Sequence, residues 1–168
     1  MTNRTLLTMT IFGLIALFAL PFSVNAAAPS LAGSWQFTLT PTSPTPPVIP
    51  IPGLATFTTD GSMIETDGLE IAVKPPSTAS ATFNSPGHGI WQLGPSLTFF
   101  YVQYFSIVAN KNGSLNATNN TTMNLTPDST GTKFTGTYVT ELVNPAGMIL
   151  KTTSGTVAGT LIPHPALP

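Results

Sequence analysis

A period of two in the hydrophobic pattern restricts the fold of this chain more than any other feature. In the segment GSWQFTLT (33–40), Trp35, Phe37 and Leu39 fall on one face and polar residues on the other. Successive side chains of a strand point to opposite sides, so this alternation indicates a strand with one buried face. Similar short segments recur toward the C-terminus, without sustained helical spacing. The chain is therefore predicted to be all-β.

Turn signals separate these segments at short intervals. Asp60-Gly61 lies between two alternating runs and predicts a two-residue type I′ hairpin turn, and Asn112-Gly113 marks another turn. Counting segments gives eight or nine antiparallel strands in a meander, with no crossover helix. Sequential hairpins favour an antiparallel up-and-down eight-stranded barrel over a two-sheet sandwich, because sandwiches usually use Greek-key connections.

Residues 41–52, PTSPTPPVIPIP, interrupt this pattern. Proline has no backbone N–H to donate, so this segment is not expected inside a sheet. It is predicted to be a semi-rigid, polyproline-like loop.

The N-terminus has the layout of an export signal. Arg4 precedes an apolar run over residues 6–20, and Pro21 ends that run. Cleavage after Ala26 would leave residues 27–168 as a single β-barrel domain with a short tail at 163–168. No later apolar run is long enough for a membrane helix, so a secreted or periplasmic protein without a stable membrane span is expected.

Composition argues against several classes of function. Charged residues make up only 7% of the chain, so no basic surface is available for nucleic acid. Cysteine is absent, and neither a histidine pair for zinc nor a calcium-loop spacing occurs. The sequence also lacks a G-x-S-x-G motif and a phosphate-binding glycine loop. We expect no metal and no cofactor.

Several segments resemble a known group of barrels. The opening Gly33-Ser34-Trp35 resembles the G-x-W signature of lipocalins and the wider calycin class. The segments GLATFTTDGS, SPGHGIW, FTGTYVTEL followed by NPAG, and SGTVAGTLI are similar to small exported bacterial β-barrel proteins. This resemblance spans nearly all of residues 27–168 and implies a calycin/lipocalin-like barrel, but it implies no catalytic residue. Allene-oxide-cyclase-like barrels share the outline, which keeps an enzyme open as an alternative.

Aromatic residues supply most of the candidate ligand contacts. An eight-stranded barrel is wide enough either to fill itself with side chains or to hold one small ligand. The predicted ligand-binding residues are Trp35, Phe37, Phe57, His88, Trp91, Phe99, Tyr101, Gln103, Phe105 and Tyr138. The segment 96–109 is apolar on both faces, which predicts that a loop or a second subunit covers its outer side.

Two titratable residues are candidates for acid or base chemistry. His88 lies between two glycines just before Trp91, and a histidine side chain can serve as a general acid or base. Glu65 shares the face of Met63, and that face is expected to point into the lumen.

Three functions remain open at this point. The first is an exported barrel that binds a small apolar or amphipathic ligand in its lumen. The second is a cofactor-free cyclase or isomerase that uses His88 or Glu65 as acid or base. The third is a filled barrel that acts as an envelope or interaction module, with a homo-oligomer possible.

Overall fold

The computed structural model describes residues 30–43, 49–68 and 82–163. The predicted signal peptide and most of the predicted tail lie outside these residues. The strands are β1 (Gly33–Ser43), β2 (Ile51–Phe57), β3 (Ser62–Asp67), β4 (Thr82–Asn84), β5 (Gly87–Leu93), β6 (Phe100–Asn110), β7 (Leu115–Pro127), β8 (Lys133–Val143) and β9 (Ile149–Leu161).

The strands form a closed antiparallel ring in chain order. Each strand from β5 onward pairs with the next one along the chain, and β9 pairs with β1 to close the ring. β4 and β5 both pair with the same side of β6, at its end and its beginning. Between them, the Ser85 hydroxyl accepts a hydrogen bond from the Ile107 amide (2.9 Å). β4 therefore continues β5 across an interruption, and the barrel has eight strands, as the sequence predicts.

Three hairpins share a turn that differs from the predicted type. In the turn between β2 and β3, the Thr58 amide donates to the Ser62 carbonyl and the Gly61 amide donates to the Thr58 carbonyl. Gly61 has a positive φ, whereas Asp60 does not. The hairpin at Asp60-Gly61 is confirmed, but its loop has three residues rather than the two of a type I′ turn. The same hydrogen-bond pattern joins β6 to β7 and β8 to β9.

The sheet takes in more of the proline-rich segment than predicted. β1 continues through Pro41 to Ser43, and β2 begins at Ile51 and includes Pro52. Pro41 lies beyond the last residue of β1 that pairs with β2, beside a register shift against β9. Pro52 lies just before the first residue of β2 that pairs with β3. Both prolines occupy strand ends or irregular pairing, where a missing N–H costs little.

Packed aromatic side chains fill the end of the barrel that carries the turns at 58–61, 94–99 and 128–132, called the closed end here. Trp35 packs on Phe134 with ring centroids 4.9 Å apart. The Trp35 indole N–H donates to the carbonyl of Leu31, which is fully buried (2.8 Å). The Phe134 ring lies where a Cβ on residue 159 would be, so Gly159 leaves the space that it occupies.

Candidate functional site

A cavity of about 270 Å³ occupies the other half of the barrel, called the open end here. The open end carries the turns at 111–114 and 144–148. Residues from all eight barrel strands line the cavity: Leu39, Ile51, Glu65, Asp67, Asn84, Tyr104, Ser106, Val108, Asn119, Thr121, Tyr138, Thr140, Leu142, Lys151 and Thr153.

The inward-facing residues become more polar from the closed end to the open end. On β8 the series runs from Phe134 through Tyr138 to Thr140. On β7, read from the closed end, it runs from Leu125 to Thr121 and Asn119. The strands themselves therefore place apolar side chains in the closed half and more polar side chains around the cavity.

Between the two regions the interior is nearly full. A void of about 10 Å³, lined by residues that include Phe37, Met123 and Val157, lies next to the cavity floor. A space of this size holds about one water molecule at most. A ligand in the lumen is thus confined to the open half.

A buried carboxyl group lies at the floor of the cavity. Glu65 is only 3% exposed, and Met63 on the same strand is also buried. Both side chains face the interior, which confirms the face predicted for Glu65. A Cβ at residue 87 would overlap the Glu65 Oε1 atom and the Tyr104 ring, so Gly87 provides the space that both groups occupy.

Tyr104 keeps its proton in this environment. Burial raises the pKa of its hydroxyl well above 10.0, and the charge of nearby Glu65 raises it further. Tyr104 is therefore a neutral hydrogen-bonding group at physiological pH, and the anionic form is strongly disfavoured.

Tyr138 contributes a second buried hydroxyl to the floor. Within the described residues, its oxygen is buried and has no hydrogen-bond partner. Burial, followed by the charge of Asp67, raises the pKa of this hydroxyl as well. A buried polar group without a partner costs about 1–3 kcal/mol, so a bound molecule that pairs with it gains that hydrogen bond.

Hydrogen bonds hold the side wall in place. The Thr121 and Thr140 hydroxyls are 2.9 Å apart and bond to each other across β7 and β8. The Asn119 side-chain amide donates to the Ser106 hydroxyl (3.2 Å). The wall is thus ordered before any ligand arrives.

Five of the predicted ligand-binding residues lie in the packed closed half. Trp35, Phe37 and Phe57 are buried core residues. Trp91 is partly buried, and its indole N–H donates to the Thr58 carbonyl (2.9 Å). Phe99 lies in the closed-end turn, with its ring over Gly94. These side chains belong to the packed closed half and do not line the cavity.

Four other predicted residues lie on the outer surface, which corrects their assignment to the lumen. On β6, Tyr101, Gln103 and Phe105 alternate with buried residues, and Phe105 is 47% exposed. Gln103 donates to Asn120 on the neighbouring strand (3.3 Å). His88 is exposed and pairs with Phe105.

The faces of β6 are reversed because of its neighbours. Phe100 and Val102 pair with Leu125 and Met123 of β7, whose inward face is mainly apolar. That pairing places Phe100, Val102 and Tyr104 inside. Both faces of the strand are aromatic, so alternation alone does not show which of them is buried.

Of the predicted site residues, only Glu65 and Tyr138 line the cavity. Sequence reasoning missed Tyr104, Asp67, Asn119 and Thr121. A signal for the last two exists, because they are polar residues at the inward positions of β7, where the neighbours Ala117 and Met123 are apolar.

Within the described residues, no group of three or more histidine, cysteine, aspartate or glutamate side chains is placed to hold a metal ion. The same residues include no helix long and apolar enough to cross a membrane.

The fold and the cavity define a closed eight-stranded up-and-down barrel that is packed at one end and holds an open cavity lined by polar and apolar groups at the other. No protein-family model, curated protein or solved structure matches this chain.

Proposed function

We propose that this barrel binds one small amphipathic molecule in its open half, with the polar end of the molecule on the floor formed by Glu65, Tyr104 and Tyr138. The observation that carries this proposal is the unpaired, buried hydroxyl of Tyr138 in the cavity. Leu39, Val108 and Leu142 supply apolar groups elsewhere in the cavity lining. Pockets with this mixture of apolar walls and a few directed polar groups are typical of small-molecule sites.

The size of the cavity limits the ligand. A volume of about 270 Å³ holds on the order of ten non-hydrogen atoms, since a water-sized group takes up about 30 Å³. The ligand class is therefore a single ring or short chain with a polar group, rather than a long lipid. We also propose that the chain is exported to the periplasm or the exterior, which the resemblance to exported calycin-like barrels supports.

Indole and indene form a matched pair of probes for this site, because both are small bicyclic molecules and only indole carries an N–H donor. Titration followed by NMR should give an indole affinity several-fold and up to about tenfold higher than that of indene, since a hydrogen bond to the neutral Tyr138 hydroxyl contributes about 0.5–1.5 kcal/mol. Tyr138→Phe should reduce indole affinity and leave indene affinity unchanged.

Tyr101→Phe is the matched control, because Tyr101 carries the same side chain on the outer wall. It should leave both affinities unchanged. Failure of both probes to bind the wild-type protein would falsify the proposal, as would an equal effect of the two tyrosine substitutions.

A second candidate is a cofactor-independent cyclase or isomerase. The buried Glu65 carboxyl beside the Tyr104 hydroxyl favours it, because a carboxylate base next to a neutral donor can move a proton on a bound carbon acid. His88 lies on the outer wall and has no part in this version.

Proton exchange tests this second candidate without knowledge of the natural substrate. Cyclohexenone should incorporate deuterium faster in D₂O buffer with the protein than in the same buffer without it. Glu65→Gln should remove this acceleration. Glu141→Gln on the outer face of β8 should retain it. Exchange no faster than in buffer, or equal loss in both variants, counts against an acid–base enzyme.

A further inference from the structure

Exposed apolar side chains surround the mouth of the cavity. Ile49, just before β2, is 71% exposed. Met148, Ile149 and Leu150 are consecutive exposed residues where β8 turns into β9, and Leu115 is exposed at the start of β7. These five residues are called the mouth rim here. They lie on three hairpins that follow one another around the ring, in the strand order β2-β1-β9-β8-β7-β6.

Two of these hairpins extend beyond the barrel wall. Within the described residues, β9 pairs with β1 only from Ser154 onward, whereas its pairing with β8 continues to Ile149. β7 pairs with β8 only from Thr118 onward, whereas its pairing with β6 starts at Leu115. Four of the five rim residues therefore lie on two projecting hairpin tips.

Two exposed lysines lie at the mouth beside the apolar rim. Lys111 lies in the β6–β7 turn and Lys151 lies next to Leu150, and both are exposed. Lys151 also lines the cavity, together with the acidic Glu65 and Asp67. Apolar tips flanked by lysines suit the boundary of a lipid bilayer, where apolar groups enter the acyl region and cations meet anionic headgroups.

The closed end offers a contrast. Two of its turns carry hydroxyl and acidic groups that hydrogen-bond within the turns, among them Thr58, Asp60, Asp128 and Thr130. The closed end also has one exposed apolar side chain in a turn, Leu97, and one exposed lysine, Lys133, but no opening to the cavity. The exposed apolar residues Ile64, Ile90 and Phe105 on the outer wall have no lysine beside them in their strands. Only the mouth combines apolar tips, exposed lysines and an opening to a cavity among the described parts of the chain.

We infer that the mouth rim docks on the surface of an anionic lipid bilayer, so that the cavity opens toward the membrane. This placement rests on the surface residues alone and does not require the proposed ligand. If the proposed function holds as well, docking of the mouth rim on the bilayer lets an amphipathic ligand pass between the membrane and the lumen without crossing water.

Vesicle co-sedimentation tests this inference with the barrel domain, residues 27–168. Binding should be stronger to phosphatidylcholine vesicles containing phosphatidylglycerol than to phosphatidylcholine alone. The double variant Ile149→Ser/Leu150→Ser should lower partitioning at least tenfold, because each side chain loses apolar area buried in the bilayer. Lys111→Gln should lower it about fivefold on the anionic vesicles only.

Matched controls separate the rim from other surfaces. Ile64→Ser/Ile90→Ser on the outer wall and Lys133→Gln at the closed end should leave partitioning unchanged. Met148→Trp should give tryptophan emission that shifts to the blue on vesicles and is quenched by brominated lipid. No vesicle binding, equal loss in the control variants, or concentration-dependent self-association through the rim would each overturn the inference.

Discussion

The two ends of this barrel use the same strands in opposite ways. At the closed end, inward residues such as Trp35, Phe57 and Phe134 fill the lumen and contact one another. At the open end, inward residues of the same strands are shorter or polar and leave a cavity. The difference shows that stability and binding are separated along the barrel axis, so changes at one end should leave the property of the other end largely intact.

The largest expected effect is a loss of stability at the closed end. Phe134→Ala removes a buried ring that packs on Trp35 and should lower the free energy of unfolding by about 3–5 kcal/mol. Phe105→Ala removes the same side chain from the outer wall and should cost less than about 1 kcal/mol. Urea denaturation of both variants measures the difference. Equal losses would show that the closed end is not the packed core described here.

The next effect is a loss of stability in alkali that depends on Tyr104. Its pKa is raised in the folded state, so the unfolded chain releases this proton first as the pH rises. The contribution of protonated Tyr104 to the free energy of unfolding is complete below about pH 10. Above about pH 10 this contribution falls by up to about 1.4 kcal/mol per pH unit. Tyr104→Phe should unfold less readily in alkali than wild type, as urea midpoints between about pH 9 and about pH 11 would show. Identical pH profiles would contradict the burial of this hydroxyl.

A smaller effect distinguishes binding from stability at the open end. Tyr138→Phe removes a buried hydroxyl that has no partner in the described structure, so stability should stay the same or rise by up to about 1 kcal/mol. Indole affinity should fall in the same variant. Thermal unfolding and the NMR titration measure the two properties, and a clear loss of stability would mean that this hydroxyl has a structural partner.

The smallest effect concerns the turn at the closed end. Leu97 has a φ of 58°, in the left-handed region, and its side chain is exposed. Leu97→Gly should relieve this strain and raise the free energy of unfolding by about 0.5–1 kcal/mol. Ligand binding at the far end should not change. A destabilised Leu97→Gly protein would indicate that the side chain makes contacts that stabilise the turn.

The fold follows from the sequence more directly than the site does. Alternation and closely spaced turn residues suffice to predict eight antiparallel strands joined by hairpins, because each signal is local. The turn at Asp60-Gly61 was predicted as a hairpin but with the wrong turn type. An Asp-Gly pair is compatible both with a two-residue type I′ turn and with a three-residue loop that has one positive φ. Pro41 and Pro52 belong to strands although their segment was predicted to be a loop. Whether a strand position needs a backbone N–H depends on its pairing with neighbouring strands, which the local sequence does not show.

The site depends on which face of each strand points inward, and that is a property of the whole ring. Glu65 was predictable because Met63 marks the buried face of β3. For β6, either face is apolar enough to be buried, so Tyr101 and Phe105 were assigned to the lumen in place of Tyr104. The family resemblance, the export signal and the ligand remain predictions.

The most direct test of the account is a map of backbone amide chemical shifts during indole titration. We expect shifts at Thr121, Thr140 and Thr153 around the cavity, and none at Phe37 or Phe134 in the packed half. Shifts confined to the closed half or to the outer wall around His88 would contradict a barrel that is packed at one end and binds at the other.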